Sequence, residues 1–342
     1  MAKQWTADEI LGMGRAYQPA CVITAAAELD LFSTLQGQPM NAKSLARELD
    51  CDPRATTILL DALTSLGLLT KRDDDYSLPA GLVELLCKSS PNNVIPMLRH
   101  TGTALRKWAQ LAQVVKSGQP AQRIAGLLDQ TAETEAFIGA MNNISAPVAA
   151  QVVARLKPLK FTRLLDVGGA SGTWTIEFLK TAPKVRATIF DLPDVIPMAK
   201  ERLTRAGLID RVELVAGDYY EDNLPAGADL AWLSAIAHQN SRQQNRDLFA
   251  KVHAALKEGG HAVIRDIVMD PSRTAPQTGA IFAVTMLVAT PAGGTYTLEE
   301  YTEDLETAGF TDVTLVHRDE FMSSLIRAKK ERIIHQGQNL RR

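Results

Sequence analysis

Leu164-Leu165-Asp166-Val167-Gly168-Gly169-Ala170-Ser171-Gly172 is an apolar run that ends at a carboxylate and passes into a glycine-rich turn. Thr173–Thr181 follows as a helix, with Trp174, Phe178 and Leu179 on its apolar side. Strand, glycine turn and helix in this order open a nucleotide-binding α/β unit. The glycines let backbone approach a ligand where a β-carbon would clash.

The spacing discriminates between ligands. A dinucleotide site calls for Gly-x-Gly-x-x-Gly, with the pyrophosphate on a helix N-terminus. Here Gly168 and Gly172 flank Ala170, and Asp166 closes the strand. A carboxylate there repels phosphate and attracts a cation. S-adenosylmethionine is such a ligand, with a sulfonium, an ammonium and no phosphate. A second acid ends the β-prone run Ala187–Phe190, at Asp191-Leu192-Pro193. An acid after the second strand, about 20 residues beyond the glycines, suits a ribose diol. A third, Asp218, follows Val212–Ala216 in Gly217-Asp218-Tyr219. One such Asp would read as a helix or turn cap. Three, each at a strand end, line one edge of a parallel sheet, where such sheets bind ligands.

Four stretches carry a family resemblance: Asp166–Gly172, Phe190–Val195, Gly217–Tyr220 and Leu256–Gly260. As a set they resemble the successive motifs of class I S-adenosylmethionine-dependent methyltransferases, in particular the small-molecule O-methyltransferases of the caffeate and acetylserotonin type. The resemblance covers nearly the whole chain. It implies an α/β, Rossmann-like seven-stranded methyltransferase domain over residues 161–330, preceded by a mainly α-helical, winged-helix-like dimerisation domain over 1–95. Linking helices over 96–160 would roof the active site, and 331–342 would be a basic tail. The resemblance also implies roles at the matching positions. Gly168 and Gly169 cradle the methionine part of the cofactor, beside Asp166. Asp191 and Leu192 meet the ribose, and Asp218 and Tyr219 bracket the adenine. Ser145 reaches the amino-acid end. Ser234 stands where many members have Lys near the adenine. Met141 packs on the acceptor ring.

Composition sets the outer bounds. The chain has 342 residues, 46% hydrophobic and 22% charged, with a formal net charge of −2. That suits a soluble protein of two domains, or of one with a large extension. It gives no global pull toward nucleic acid or acidic membranes. Cys21, Cys51 and Cys87 lie far apart without ligand spacing and read as reduced and structural. The first residues lack a signal peptide's apolar region, and no apolar run reads as a membrane span. The expectation is a cytoplasmic protein without a membrane or nucleic-acid partner.

In the N-terminal third, Ala7–Leu35 reads as helix, interrupted near Gln18-Pro19. Asn41 is placed to cap a helix over Ala42–Leu49. Asp52-Pro53 opens another, with Ile58, Leu59, Ala62, Leu63 and Leu66 at helical spacing and Gly67 at its end. Leu68–Lys71, a turn at Asp73-Asp74-Asp75 and Tyr76–Leu78 make a short hairpin. Helices followed by a hairpin form the winged-helix pattern, which raises a DNA-binding regulator as a rival. The charges argue against it. The second helix offers Arg54 and then Asp61, and the wing tip carries three aspartates that repel phosphate. The resemblance implies dimerisation instead, with the first helices packing across a two-fold axis into a homodimer. The apolar residues of Ala20–Phe32 fit a buried interface. Val94–Val115 and Glu133–Leu156 read as further helices.

Asp229–Leu233 reads as a strand and Arg242–Leu256 as a helix, followed by a turn at Glu258-Gly259-Gly260 and a strand over Ala262–Ile267. His238 therefore falls just past a strand on the binding edge, at a helix entry. His253 and His261 fall on a helix and at a strand start, where packing roles are expected. The resemblance makes His238 the general base. A neutral imidazole suits that task at physiological pH. Methyl transfer is an in-line displacement: acceptor and methyl must be aligned, and a hydroxyl acceptor must lose its proton. No metal is required, and no clustered metal ligands are read. Gln277–Val288 reads as an apolar helix with Phe282, Met286 and Leu287; the resemblance implies that this segment walls the acceptor pocket, and such a wall suits a small aromatic or polyketide-like acceptor. Leu298–Ala308 reads as a helix ended by Gly309, and Val313–Val316 and Met322–Ala328 as a reversed strand pair.

Besides Ser234, the chain departs from the family in two places. Gln239-Asn240 follows the histidine where plant members have Asp-Trp. Gly293-Gly294-Thr295-Tyr296 lacks the Glu with which plant members orient the histidine. Asp266 and Asp270 remain as orienting candidates. The alternatives are C- or N-methylation with His238 as a positioning group, a cofactor-binding protein that does not methylate, and a nicotinamide oxidoreductase.

Overall fold

The computed structural model describes residues 3–157 and 160–332. Its contacts divide the chain into two units: Met1–Gln110 with Gln122–Ile144, and Leu111–Ala121 with Ser145–Arg342.

The first unit is mainly helical. It contains α1 (Ala7–Arg15), α2 (Tyr17–Glu28), α3 (Leu31–Thr34), β1 (Met40–Asn41), α4 (Ala42–Glu48), α5 (Pro53–Ser65), β2 (Thr70–Arg72), β3 (Asp75–Ser77), α6 (Ala80–Leu86) and α7 (Ile95–Trp108). The caps act as read: Asn41 accepts from the Ser44 N–H at 2.9 Å and Asp52 from the Ala55 N–H at 2.8 Å. The first break falls at Ala16, not at Pro19. Pro19 lies in the first turn of α2, where its missing N–H would have no partner in any case. β2 and β3 form the expected antiparallel hairpin, with β1 beside β3. Ala26, Leu31, Phe32, Leu60, Leu63 and Tyr76 form the buried core. The Tyr76 hydroxyl and the Lys71 ammonium each reach Asp61 at 2.8 Å, fastening the hairpin to α5.

The helix read over Val94–Val115 is two helices. The Gln110 side-chain amide donates to the Gln122 carbonyl and accepts from the Gln122 N–H, and the chain turns there. α8 (Leu111–Ser117) then belongs to the second unit. α9 (Gln130–Arg155) contributes its residues up to Ile144 to the first unit and those from Ser145 on to the second. Among the described residues α9 is the one helix long and apolar enough to cross a membrane. It carries Pro147 and buries Ala149, Val152 and Val153 in the second unit's core, as a core helix does.

The second unit alternates strand and helix: β4 (Arg163–Val167), α10 (Thr173–Thr181), β5 (Arg186–Asp191), α11 (Ile196–Arg205), β6 (Val212–Ala216), β7 (Ala228–Ser234), α12 (Arg242–Ala255) and β8 (Leu256–Asp266). There follow β9 (Val268–Met269), α13 (Gln277–Ala289), β10 (Tyr296–Thr297), α14 (Leu298–Thr307), β11 (Thr311–His317) and β12 (Ser324–Lys329). Seven strands form one sheet in the order β11-β12-β8-β7-β4-β5-β6, and only β12 runs against the others. Both faces are covered, which is why the central strands read as continuous apolar runs. Trp174, Phe178, Trp232 and Val263 pack on one face, and Phe249, Val252, Tyr301 and Phe310 on the other. The Glu258-Gly259-Gly260 turn lies inside β8, where a register shift against β7 absorbs it. The tail beyond Arg332 lies outside the described residues.

Because β4 to β8 are parallel, their carboxyl ends share one edge. Val167 stands opposite Phe190 and Leu233, Asp191 opposite Ala216, and Ser234 opposite Arg265. Sequence order reverses between β4 and β7, the switch point at which open α/β sheets hold ligands.

Candidate active site

The glycine turn follows β4 at that switch point. Gly168 has φ +65° and donates its N–H to the Phe190 carbonyl at 2.8 Å. A β-carbon there would lie 2.4 Å from Ile236 Cδ1, and one on Gly169 would lie 2.9 Å from Ile189 Cγ2. The protein's own side chains therefore demand these glycines, in addition to any ligand. Ala170 also sits in the left-handed region, with φ +48°. Its N–H donates to Asp191 Oδ2 at 2.7 Å, and the Leu192 N–H donates to Asp191 Oδ1 at 2.7 Å. Asp191 thus ties together the turns after β4 and β5, and each of its oxygens keeps a lone pair for a further donor. Burial raises its pKa above the usual carboxylate range.

Asp166 behaves differently from the expected third edge carboxylate. It lies one residue before the end of β4, and strand alternation turns its side chain beneath α10. It is 1% exposed and accepts from the Thr175 hydroxyl at 2.6 Å. Burial pushes its pKa up to about 7. Asp166 anchors α10; the acids left along the edge are Asp191 and Asp218.

Asp218 Oδ1 accepts from the Tyr220 N–H at 2.9 Å, which shapes the turn after β6. The Tyr219 and Tyr220 rings lie 4.6 Å apart, and the Lys251 ammonium donates to both their carbonyls at 2.8 Å. Burial lifts the Tyr219 hydroxyl well above its usual range. Leu192 is exposed at the end of β5, and Ser145 is buried on α9. Ser234 closes β7, its hydroxyl accepting from Arg265 Nη1 at 3.1 Å.

His238 lies in a single 3₁₀ turn, Ala237–Gln239, directly after β7. Its Nδ1 is 2.9 Å from Asp266 Oδ1 and 3.0 Å from Oδ2, with Asp266 at the end of β8. The His238 N–H also donates to Asp266 Oδ2 at 3.2 Å, and the Ile267 N–H to Oδ1 at 2.8 Å. Both side chains are buried. A carboxylate on Nδ1 selects the tautomer with the proton on Nδ1, so the Nε2 lone pair is left to accept a proton. Of the two acids left open by the sequence, Asp266 is the orienting one. Asp270 pairs with Arg318 at 2.8 Å.

The Gly293–Gly294 loop supports the same turn by its backbone. The Gly294 N–H donates to the His238 carbonyl at 2.9 Å, and a β-carbon on Gly293 would lie 2.5 Å from that carbonyl. On α13, Phe282 meets the His238 imidazole edge-on at 4.8 Å, and Met286 is buried. Met141, half-buried on α9, belongs to the first unit.

Sequence reading did not single out Arg265. It is 2% exposed, stacks over Trp174 at 4.6 Å and loses basicity to burial, to about 10. Its one signal was position: beside Asp266 on a strand, the two side chains must point to opposite faces. Among the described residues, no three His, Cys, Asp or Glu side chains gather as metal ligands.

Residues 108–311 match the family model of the O-methyltransferase domain, and residues 16–84 that of the O-methyltransferase dimerisation domain. The 3-hydroxy-5-methyl-1-naphthoate 3-O-methyltransferase of Streptomyces sahachiroi is 32% identical over 302 residues, covering 86% of each chain. The tetracenomycin polyketide synthesis 8-O-methyltransferase of Streptomyces glaucescens is 31% identical over 313 residues, covering 89% of this chain and 91% of its own. Human N-acetylserotonin methyltransferase, solved with S-adenosylmethionine, shares the fold: TM-score 0.80 at 24% identity, over 97% of this chain and 100% of that one.

Proposed function

The chain belongs to the O-methyltransferase family, and on that premise we propose that it transfers a methyl group from S-adenosylmethionine to a hydroxyl of a small aromatic or polyketide-like acceptor, with His238 as general base. The observation that carries this reading is the buried His238–Asp266 pair at 2.9 Å. A carbon or amine acceptor gives such a pair less to do, whereas a hydroxyl must lose its proton.

The residues along the edge fit the methyl donor. Acids suit a cation and a diol, and the glycine turn leaves backbone uncovered. When bound, S-adenosylmethionine supplies a methyl group on a positively charged sulfur. Gly168 and Gly169 would cradle its methionine part and Ser145 its amino-acid end. Asp191, next to Leu192, would accept from the ribose hydroxyls. Asp218, Tyr219 and Ser234 would enclose the adenine, while Asp166 holds α10 beneath the glycine turn. His238 Nε2 takes the acceptor's proton, and Asp266 holds the Nδ1 proton and offsets the positive charge that the ring gains. Phe282 and Met286 would wall the acceptor. The two relatives described above are named for 3-O-methylation of a hydroxynaphthoate and for 8-O-methyl transfer in tetracenomycin polyketide synthesis, and the apolar face of α13 suits a fused-ring phenol.

We assign residues 161–330 to catalysis and 1–95 to pairing of two copies. α1 buries none of its own residues and exposes Ile10, Leu11 and Met13, an apolar surface that a second copy would cover. The test is labelled-methyl transfer to a panel of hydroxynaphthoates and phenolic polyketides. Methylation of a phenol that falls at least a hundredfold in His238→Ala is expected; a variant as fast as wild type would remove His238 from the chemistry.

A further inference from the structure

Gln239-Asn240, the departure that follows His238, has no role in the reading above. Asn240 is 0% exposed and Asn245, on α12, is 1% exposed. The Tyr220 hydroxyl donates to Asn240 Oδ1 at 2.5 Å. Asn240 Nδ2 donates to Asn245 Oδ1 at 3.0 Å, and Asn245 Nδ2 donates to the Ala237 carbonyl at 3.0 Å. The Asn240 carbonyl accepts from the Tyr296 hydroxyl. One hydrogen-bonded chain therefore runs from the loop after β6 to the turn that bears His238. Every donor faces an acceptor, which fixes both amide orientations.

We propose that Asn240 is a positioning residue: through Tyr220 and Asn245 it couples the adenine loop to the turn carrying His238, so that seating the methyl donor also sets the base. This rests on the reading of His238 as base and of Tyr219 as adenine contact.

The physics favours coupling over simple stability. Tyr220 is 45% exposed, and its ring lies against Tyr219. A ligand that presses on Tyr219 moves Tyr220, and the Tyr220 hydroxyl can move only with Asn240, because a buried amide does not give up its partners cheaply. Asn240 has no slack to absorb the shift, being held at its carbonyl and at both side-chain atoms. The displacement is carried to the Ala237 carbonyl, one residue from the base.

Tyr220→Phe is the test variant, since it removes one hydroxyl and leaves the ring. Donor affinity is read by calorimetry with S-adenosylhomocysteine, folding by thermal melting, and kcat by labelled-methyl transfer at saturating donor. The relay predicts a kcat about tenfold lower, with donor affinity within about twofold of wild type; one misplaced reacting group suffices for that. It further predicts non-additivity: in the His238→Ala background, Tyr220→Phe changes the residual rate by less than twofold, because the group it positions is gone. Equal loss of rate in both backgrounds, or weaker donor binding with kcat intact, overturns the proposal and leaves the base assignment standing. Wild-type activity in His238→Ala overturns the base assignment itself, and the relay with it.

Discussion

At the scale of single residues, the site depends on where two carboxylates point. Asp266 selects the His238 tautomer through the 2.9 Å contact. Asp266→Asn should therefore lower kcat by about two to four orders of magnitude, with donor affinity unchanged by calorimetry; a mild effect would mean that the ring is oriented by packing against Phe282 alone. Asp166 gives a prediction of the opposite kind, about stability. Its pKa in the folded protein, about 7, lies above the ordinary 3.8. The folded protein keeps this proton where the unfolded chain has lost it. The stabilisation is full below about pH 4 and is lost as pH rises through about 7. At about 1.4 kcal/mol per tenfold change, this amounts to on the order of 4 kcal/mol. Asp191 is raised in the same sense, and His100, His253 and His261 are lowered by burial and act oppositely. The informative quantity is thus a difference. Urea melts at pH 5 and pH 8 should show wild type losing more stability than Asp166→Asn, and equal losses would mean that Asp166 is ionised throughout.

At the scale of elements, strand ends and helix spans were legible because periodicity sets them. Thr173–Thr181 and Val212–Ala216 match their predicted limits, and α12 and α13 come within a residue or two. The internal limits of the middle helices were not legible. α7 and α8 separate where Gln110 binds the backbone of Gln122, a contact that no local pattern announces. The turn that carries His238 is a second such case. It is held by a loop more than fifty residues later, through the Gly294 N–H on the His238 carbonyl. Gly293 has an ordinary φ, so its glycine is required by close approach rather than by backbone strain. In Gly293→Ala the new β-carbon would meet the His238 carbonyl at 2.5 Å and the Gln239 carbonyl at 2.9 Å. The turn must shift by several tenths of an ångström. A fall in kcat of roughly tenfold or more, larger than any change in donor affinity, is the expected result of steady-state kinetics paired with calorimetry.

At the scale of the whole molecule, the exposed apolar face of α1 is the feature a single chain does not account for. Replacing Leu11 and Met13 by Glu should leave the circular dichroism intact, because α1 buries nothing within the single chain. Light scattering should report a dimer for wild type and a monomer for the variant; a dimer in both would move the interface elsewhere. The sequence by itself determined the architecture: alternating apolar runs and amphipathic helices, with acids and glycines at the strand ends, admit one sheet with its ligand edge at the β4 turn. Those signals are local, set by backbone sterics and by the period of burial. The tertiary structure alone decided which carboxylate faces the edge and which is sealed under a helix, which acid grips the histidine, and what supports it from behind. These outcomes hang on the phase of the pleat at each strand end and on contacts between segments far apart in the chain, and neither leaves a mark in the order of residues.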